Sequence, residues 1–236
     1  MTSIRIEPVD DLDCRVIAYD WPFARERAAD IAANWDRQIA AGRKLWNGRV
    51  LLSRDAHVET RGGRRVFTAD HFETDFAAFL AFRDFGFPDP RVKNCFAMAA
   101  LRAADGPFLL ARMGVHTANP GRIYFAAGTP DPGDIRGRTL DLAGSVLREL
   151  AEETGLTEVD VTQSPGYTLV RDEGRIACMR EVRTRDDCDA VVARVARFVA
   201  AENDPEIDGL VPVRDARDLQ PDHMPDFIQA YLRAQF

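Results

Sequence analysis

Apolar residues recur at helical spacing in several parts of the chain. Ile31, Trp35 and Ile39 fall four apart, which places them on one face of a helix predicted over 23–41 and ended by Gly42. The same periodicity predicts further helices over 75–85, 141–154, 190–202 and 225–234.

Shorter runs rich in β-branched and aromatic residues lie between these helices and predict strands. They cover 49–60, 64–69, 94–103, 108–114, 122–128, 157–162, 166–171, 175–182 and 209–215. Glycines at 62 and 63 mark the first of several hairpins. Because hairpins outnumber regular strand-helix-strand units, the expected fold is α/β with a mixed sheet flanked by helices.

The turn-forming segment FGFPDP at 85–90 suggests a boundary. Residues 1–90 would form an N-terminal α+β extension or small subdomain, and residues 91–236 the main domain. Trp35 and Trp46, both in the first block, are predicted to be packing residues.

Composition and charge argue against a nucleic-acid-binding, membrane-spanning or secreted protein. Of the 236 residues, 46% are hydrophobic and 29% are charged, as in a soluble globular protein. The net charge of −7 repels polyanions, so nucleic acid is not expected as a partner. No apolar run approaches the roughly 18 residues of a membrane span, and the start of the chain is too acidic for a secretory signal. We therefore expect a cytoplasmic protein without a membrane partner.

The four cysteines show no metal-site spacing. Cys14, Cys95, Cys178 and Cys188 form no CxxC pair, and none lies at zinc-ligand spacing from a histidine. They are predicted to be reduced and structural.

Three glutamates share one face of the helix predicted over 141–154. Glu149, Glu152 and Glu153 stand at positions i, i+3 and i+4, and apolar residues occupy the opposite side. Like charges at this spacing repel, so the cluster favours a counter-ion. Hard cations such as Mg²⁺ or Mn²⁺ prefer oxygen ligands of this kind. The alternative is a solvated acidic face.

The string RELAEETGL at 148–156 resembles the second half of the Nudix hydrolase signature, matching Arg148, Glu149, Glu152, Glu153 and Gly155 among its fixed positions. The first half departs from that pattern. Gly128 and Asp134 keep their spacing, but thirteen residues separate Asp134 from Arg148, which indicates a six-residue insertion at about 135–140. Asp141 then begins the helix as its N-cap.

This resemblance, sharp over 127–156 and looser over 92–220, implies a Nudix-type α/β/α sandwich. It also implies a metal site formed by Glu149, Glu152 and Glu153 with the backbone carbonyl of Ala127. The signature Arg148 would pair with an acidic residue as a structural brace. Asp134 is the first choice for that partner and Asp141 the second.

The implied activity is hydrolysis, with Mg²⁺ or Mn²⁺, of a pyrophosphate bond in a nucleoside diphosphate linked to another moiety. A fainter likeness of LWNGRVLL and DLAGSV to a UDP-sugar hydrolase branch suggests a nucleotide sugar. Glu206 is the candidate general base outside the cluster, because many members carry an acidic residue before the last strand. The predicted partner is thus a small molecule.

Substrate contacts are less defined. Arg112 and Arg122 lie on strands near the signature and are candidates for binding phosphate. Candidates for stacking on a base are Tyr124, Phe125 and Tyr167, with Arg171 and Arg175 as further cationic candidates.

Two other functions remain open. One is a Nudix-like module that binds or senses a nucleotide without hydrolysing it, although such modules usually lose signature glutamates. The other is a scaffold with an acidic helix. The oligomeric state is also open, with a homodimer among the options.

Overall fold

The computed structural model describes residues 4–43, 45–117 and 119–236. Within these ranges the chain forms six α-helices and thirteen strands. The helices are α1 (Pro22–Glu26), α2 (Ala28–Ala40), α3 (Phe76–Asp84), α4 (Leu142–Thr154), α5 (Cys188–Ala201) and α6 (Asp226–Arg233). The strands are β1 (Arg5–Val9), β2 (Asp11–Val16), β3 (Arg49–Arg61), β4 (Arg64–Asp75), β5 (Val92–Arg102), β6 (Phe108–Met113), β7 (Ile123–Tyr124), β8 (Ile135–Arg136), β9 (Thr139–Leu140), β10 (Val161–Gln163), β11 (Tyr167–Arg171), β12 (Arg175–Thr184) and β13 (Ile207–Val213).

The strands form one mixed sheet, as predicted. Its main path runs β1-β11-β12-β5-β3-β4-β2-β9-β8, and β10 pairs with β12. A branch leaves β5 through β6, which also pairs with β7 and β13. The β12–β5 and β2–β4 pairs are parallel, and the other pairs are antiparallel.

Helices cover both faces of the sheet. Along β5, successive side chains alternate between two cores, with Cys95 on one side and Phe96 on the other. The core on the Cys95 side includes Leu150 of α4 and Val195 of α5. The core on the Phe96 side includes Ile228 of α6. This arrangement confirms the predicted order of helix, sheet and helix.

The first ninety residues share this sheet and part of this core. Ser53 of β3 pairs with Lys93 of β5, so the sheet continues across the predicted boundary. Leu51 and Phe67 lie in the same core as Leu150. Helices α1 to α3 pack over a further aromatic core. Whether residue 90 also divides two domains stays a prediction.

The predicted insertion forms a small hairpin of β8 and β9. Its second strand pairs with β2, with Thr139 opposite Arg15. The extra residues before α4 therefore connect the signature to the N-terminal region.

Several sequence predictions were wrong in detail. Strands β1 and β2 were not predicted; they gain their backbone partners from β11 and β4, far along the chain. The helix predicted over 23–41 is divided at Arg27 into α1 and α2, and the ring of Phe23 packs on Phe82 of α3.

Two predicted strands are shorter than expected. The strand predicted over 122–128 is limited to β7; beyond it Phe125 and Ala126 still enter opposite cores, and the carbonyl of Ala126 accepts the N–H of Ala99 at 3.2 Å. The strand predicted over 157–162 begins only at Val161, since Asp160 accepts the N–H of Thr157 and forms a turn.

Two other expectations concern the cysteines and the membrane. All four cysteines are buried and unpaired, in keeping with a structural role. Among the helices of the described ranges, none has the length and apolar character needed to cross a bilayer.

Candidate active site

Helix α4 has well-defined ends and one apolar face. Its N-cap Asp141 accepts the N–H of Gly144 at 2.9 Å. Gly155 follows its last residue with φ 70°, a left-handed conformation suited to glycine. The helix packs Val146 and Leu150 against the sheet, and its Glu149 and Glu153 side chains lie against the 127–134 loop.

Arg148 connects that loop to the helix. Its Nη2 lies 2.9 Å and 3.1 Å from the two carboxylate oxygens of buried Asp134. The N–H of Asp141 donates to the carbonyl of Asp134 at 2.9 Å, which closes the inserted hairpin and holds Asp134 beside α4. The structure thus pairs Arg148 with Asp134, while Asp141 serves as a helix cap.

The same guanidinium also contacts two of the three glutamates. Its Nη1 lies 2.9 Å from Oε1 of Glu149 and 3.1 Å from Oε2 of Glu152. Arg148 therefore offsets part of the repulsion that the sequence predicts within the cluster.

Glu153 is the most buried carboxylate of the cluster, at 4% exposure. Its Oε1 accepts the N–H of Ala127 at 3.1 Å. Its Oε2 is buried and has no hydrogen-bond partner in the part of the chain that the structure describes. Burial raises the pKa of Glu153 to about 8; the negative charges of Glu149 and Glu206 act in the same direction, and the Ala127 N–H opposes them.

Glu149 lies under the loop glycine Gly128. A Cβ atom at position 128 would stand 2.3 Å from Oε1 of Glu149, so only glycine allows this close approach. Burial raises the pKa of Glu149 to about 7, against the effect of Arg148.

Glu152 and Glu206 are more exposed. The Glu152 side chain is 59% exposed. Glu206 precedes β13, and its backbone carbonyl accepts the N–H of Gly114 at 2.8 Å. Its side chain is close enough to Glu149 and Glu153 for its charge to raise both pKa values. The structure therefore brings all four predicted carboxylates to one region.

The donor set fits a divalent cation in its chemistry, although it is not arranged as a finished metal site. No group of three acidic, histidine or cysteine side chains in the described ranges is placed to hold an ion as it stands. A cation would give the buried Oε2 of Glu153 the partner that it lacks. It would also stabilise the charged form of the neighbouring Glu149, whose pKa is raised by burial. Arg148 contacts Oε2 of Glu152, so only coordination through that oxygen would displace the guanidinium.

The candidate substrate residues are dispersed. Arg122 is exposed and donates to the carbonyl of Asp222 at 3.1 Å. Arg112 is half-buried in β6, between β7 and β13. Tyr124 lies between two cavities of about 400 Å³ and 440 Å³, both of which reach Ala127.

Three other candidate substrate residues are buried or engaged in contacts elsewhere in the structure. Phe125 is fully buried in the core against Phe108, so it has no free face for a base. Tyr167 lines a different cavity, and its hydroxyl accepts from Arg180 at 3.1 Å. Arg171 forms an ion pair with Glu7.

The two tryptophans differ. Trp35 packs against Phe76, as predicted. The prediction for Trp46 was wrong: it is 86% exposed and lines the cavity of about 400 Å³ together with Glu206. The next residue, Asn47, is exposed as well.

The sequence analysis did not predict the residues that line the cavity of about 440 Å³. Phe76 and Phe79 of α3 face Asn94 and Phe96 of β5 and Phe227 of α6. The alternation of 94, 96 and 98 along β5 places these residues on one face of the sheet, but only the fold shows that α3 and α6 enclose it.

No protein-family model matches the chain, and no curated protein does. Solved structures that resemble it include the MutT protein from Methanosarcina mazei Go1, with a TM-score of 0.34, 17% identity and coverage of 60% of this chain and 93% of the other. The Nudix hydrolase RenU from M. smegmatis has a TM-score of 0.38 and 11% identity, covering 60% of this chain and 81% of its own. DR0079 from Deinococcus radiodurans has a TM-score of 0.33 and 17% identity, covering 57% and 70%.

The architecture is an α/β/α sandwich, with a mixed sheet between two helical layers.

Proposed function

We propose that this protein is a divalent-metal-dependent hydrolase of the Nudix type. Its substrate would be a nucleoside diphosphate linked to another moiety, with nucleotide sugars as the first candidates. The observation that carries this proposal is the buried pair Glu149 and Glu153, held against the loop residues Ala127 and Gly128 with one carboxylate oxygen unpartnered. The match of RELAEETGL to the family signature supports the same function.

In this proposal Glu149, Glu152 and Glu153 hold Mg²⁺ or Mn²⁺, with the backbone carbonyl of Ala127 as a fourth ligand. The bound cation would neutralise phosphate charge and lower the pKa of the attacking water. Arg148 and Asp134 keep the loop fixed to α4, so the ligands from loop and helix stay in register.

The remaining roles fall to residues around the cavities. Glu206 would accept the proton of the attacking water, since its carboxylate lines the cavity that reaches Ala127. Arg122 would bind a phosphate oxygen after exchanging its contact with the Asp222 carbonyl. Arg112, half-buried within β6, is the less accessible of the two arginines.

One observation favours the second candidate, a nucleotide-binding module without catalysis. Arg148 already contacts one carboxylate oxygen of Glu149 and one of Glu152, two of the proposed metal ligands. Under this alternative the guanidinium stays in place, and no hydrolysis occurs.

The test is a hydrolysis screen with Mg²⁺ or Mn²⁺ over nucleotide sugars, ADP-ribose, dinucleoside polyphosphates, dinucleotide cofactors, coenzyme A and nucleoside triphosphates. Products are identified by mass, and each reaction is repeated in EDTA. We expect cleavage of at least one compound into two phosphorylated products, lost in EDTA. Nucleotides that raise the Tm without being cleaved would support the binding module instead. No effect of metal or nucleotide on either readout would support the acidic scaffold.

A further inference from the structure

A cavity lined by aromatic side chains opens beside the candidate active site. It has a volume of about 440 Å³, and its walls carry Phe76, Phe79, Phe96 and Phe227. We call it the aromatic cavity. Its lining continues to Ala127 and Gly128, so a molecule in it would lie next to the loop that faces the glutamates.

Asn94 is a polar residue of this cavity whose buried side-chain oxygen has no partner among the described residues. It is 9% exposed. Its backbone N–H is already used by the carbonyl of Gly174. A buried amide oxygen normally has a partner, and an asparagine amide offers an acceptor and two donors side by side. The missing partner of this oxygen is therefore a hydrogen-bond donor, and the adjacent amide nitrogen is available to donate to an acceptor beside it.

Three arginines line the cavity: Arg122 is the proposed phosphate contact, and the other two are paired with carboxylates. Arg175 is paired with Asp172 at 2.8 Å, and Arg83 with Asp84 at 3.4 Å. Their positive charges are thus offset before any ligand enters. Four phenylalanines and Tyr124 contribute aromatic side chains to the wall, so a planar neutral ring matches that part of the cavity better than a phosphate does.

We propose that the aromatic cavity binds the nucleobase of the substrate and that Asn94 recognises the edge of that base by hydrogen bonds. This inference rests on the proposed function, because it places the base next to the site of phosphate cleavage. Phe76 and Phe79 belong to α3, so the N-terminal ninety residues supply one wall of the substrate site. They would then contribute to base selection.

The experiment measures binding of reaction-product analogues in Mg²⁺ by calorimetry. The probes are AMP, UMP, CMP and GMP, with ribose 5-phosphate as the base-free control. The proteins are the wild type, Asn94→Ala, Phe79→Leu and, as a matched control, Gln235→Ala, which alters a different cavity. Thermal unfolding confirms that each variant is folded.

We expect at least one monophosphate to bind at least tenfold more tightly than ribose 5-phosphate. Asn94→Ala should remove most of that difference and leave the Kd of ribose 5-phosphate unchanged. Phe79→Leu should weaken the binding of all four nucleoside monophosphates. It is the test variant if Asn94→Ala does not fold. Gln235→Ala should match the wild type.

Two results would overturn the inference: base-containing and base-free phosphates binding equally well, or Asn94→Ala weakening both to the same extent. The proposed function is tested separately by the hydrolysis screen. Base-dependent binding without hydrolysis of any linked diphosphate would support the base site and contradict the proposed hydrolase activity. Hydrolysis without discrimination between bases would support the activity and contradict the base site.

Discussion

Arg148 and Asp134 are joined by a two-oxygen ion pair in which Nη2 lies 2.9 Å and 3.1 Å from the carboxylate. The two residues stand fourteen positions apart, with the inserted β8–β9 hairpin between them. Because Nη1 of the same guanidinium contacts Glu149, the pair fixes the position of a proposed metal ligand as well as that of the loop.

Asp134→Asn should destabilise the protein by about 2 kcal/mol, since it removes the charged partner of a half-exposed arginine and weakens hydrogen bonds to a buried site. Urea denaturation measures the change. The control is Asp141→Asn, whose amide still caps α4, and we expect a change within about 0.5 kcal/mol. Equal losses in the two variants would argue against a specific brace.

Glu152→Gln should lower kcat by about 100-fold, corresponding to about 2.7 kcal/mol of transition-state stabilisation, because it removes a proposed metal ligand. The Tm should change little, since this side chain is largely exposed. Glu158→Gln, another exposed glutamate beyond the helix, is the matched control and should retain full activity. Near-normal turnover of Glu152→Gln with Mg²⁺ would contradict the metal assignment.

Gly128→Ala should reduce activity strongly, because the new Cβ would meet the carboxylate of Glu149 at 2.3 Å to 2.7 Å and displace it. We expect at least a tenfold loss of kcat/KM and a weaker response of the Tm to Mn²⁺. Gly48→Ala serves as the control, since its Cβ would meet only the exposed side chain of Trp46, at 3.2 Å. Wild-type kinetics in Gly128→Ala would show that the position of Glu149 is not critical.

The buried carboxyls of Glu149 and Glu153 should make the metal-free protein less stable as pH rises, most clearly above about pH 6.5, because burial lowers the pKa of His71 to about 4 and gives the opposite slope below that pH. Burial raises the pKa of Glu153 from 4.5 to about 8 and that of Glu149 to about 7. Between these limits the folded state binds more protons than the unfolded state, so the free energy of unfolding decreases with pH. The contribution is fully present below about pH 4.5 and lost by about pH 8. Denaturation in EDTA at several pH values measures it.

Glu153→Gln tests the source of this slope. In EDTA the variant should be more stable than the wild type at pH 8, by on the order of a few kcal/mol, and similar to it near pH 4.5. Mn²⁺ should restore stability to the wild type at pH 8 and have less effect on the variant. A slope that is the same in both proteins would assign the titration to other groups.

Much of the fold follows from local patterns in the chain. The apolar periodicity of α4, its Asp141 cap and its terminal Gly155 lie close together in sequence, so helix bounds and the shared face of the three glutamates were predictable. Strands β1 and β2 were not predicted, although DLDCRV alternates polar and apolar residues, because both are short and their backbone partners come from β11 and β4, far along the chain. Trp46 was misassigned for a related reason, since aromatic character alone does not show whether a neighbour covers the ring.

The sequence by itself determined the mixed α/β class and the grouping of Glu149, Glu152 and Glu153, because both depend on residue spacing within single elements. Only the tertiary structure decided that Arg148 pairs with Asp134, that Glu153 keeps an unpartnered buried oxygen, and that α3 and α6 enclose a cavity over Asn94. These features arise between elements distant in the chain. Their distances and desolvation exist only once the layers have packed.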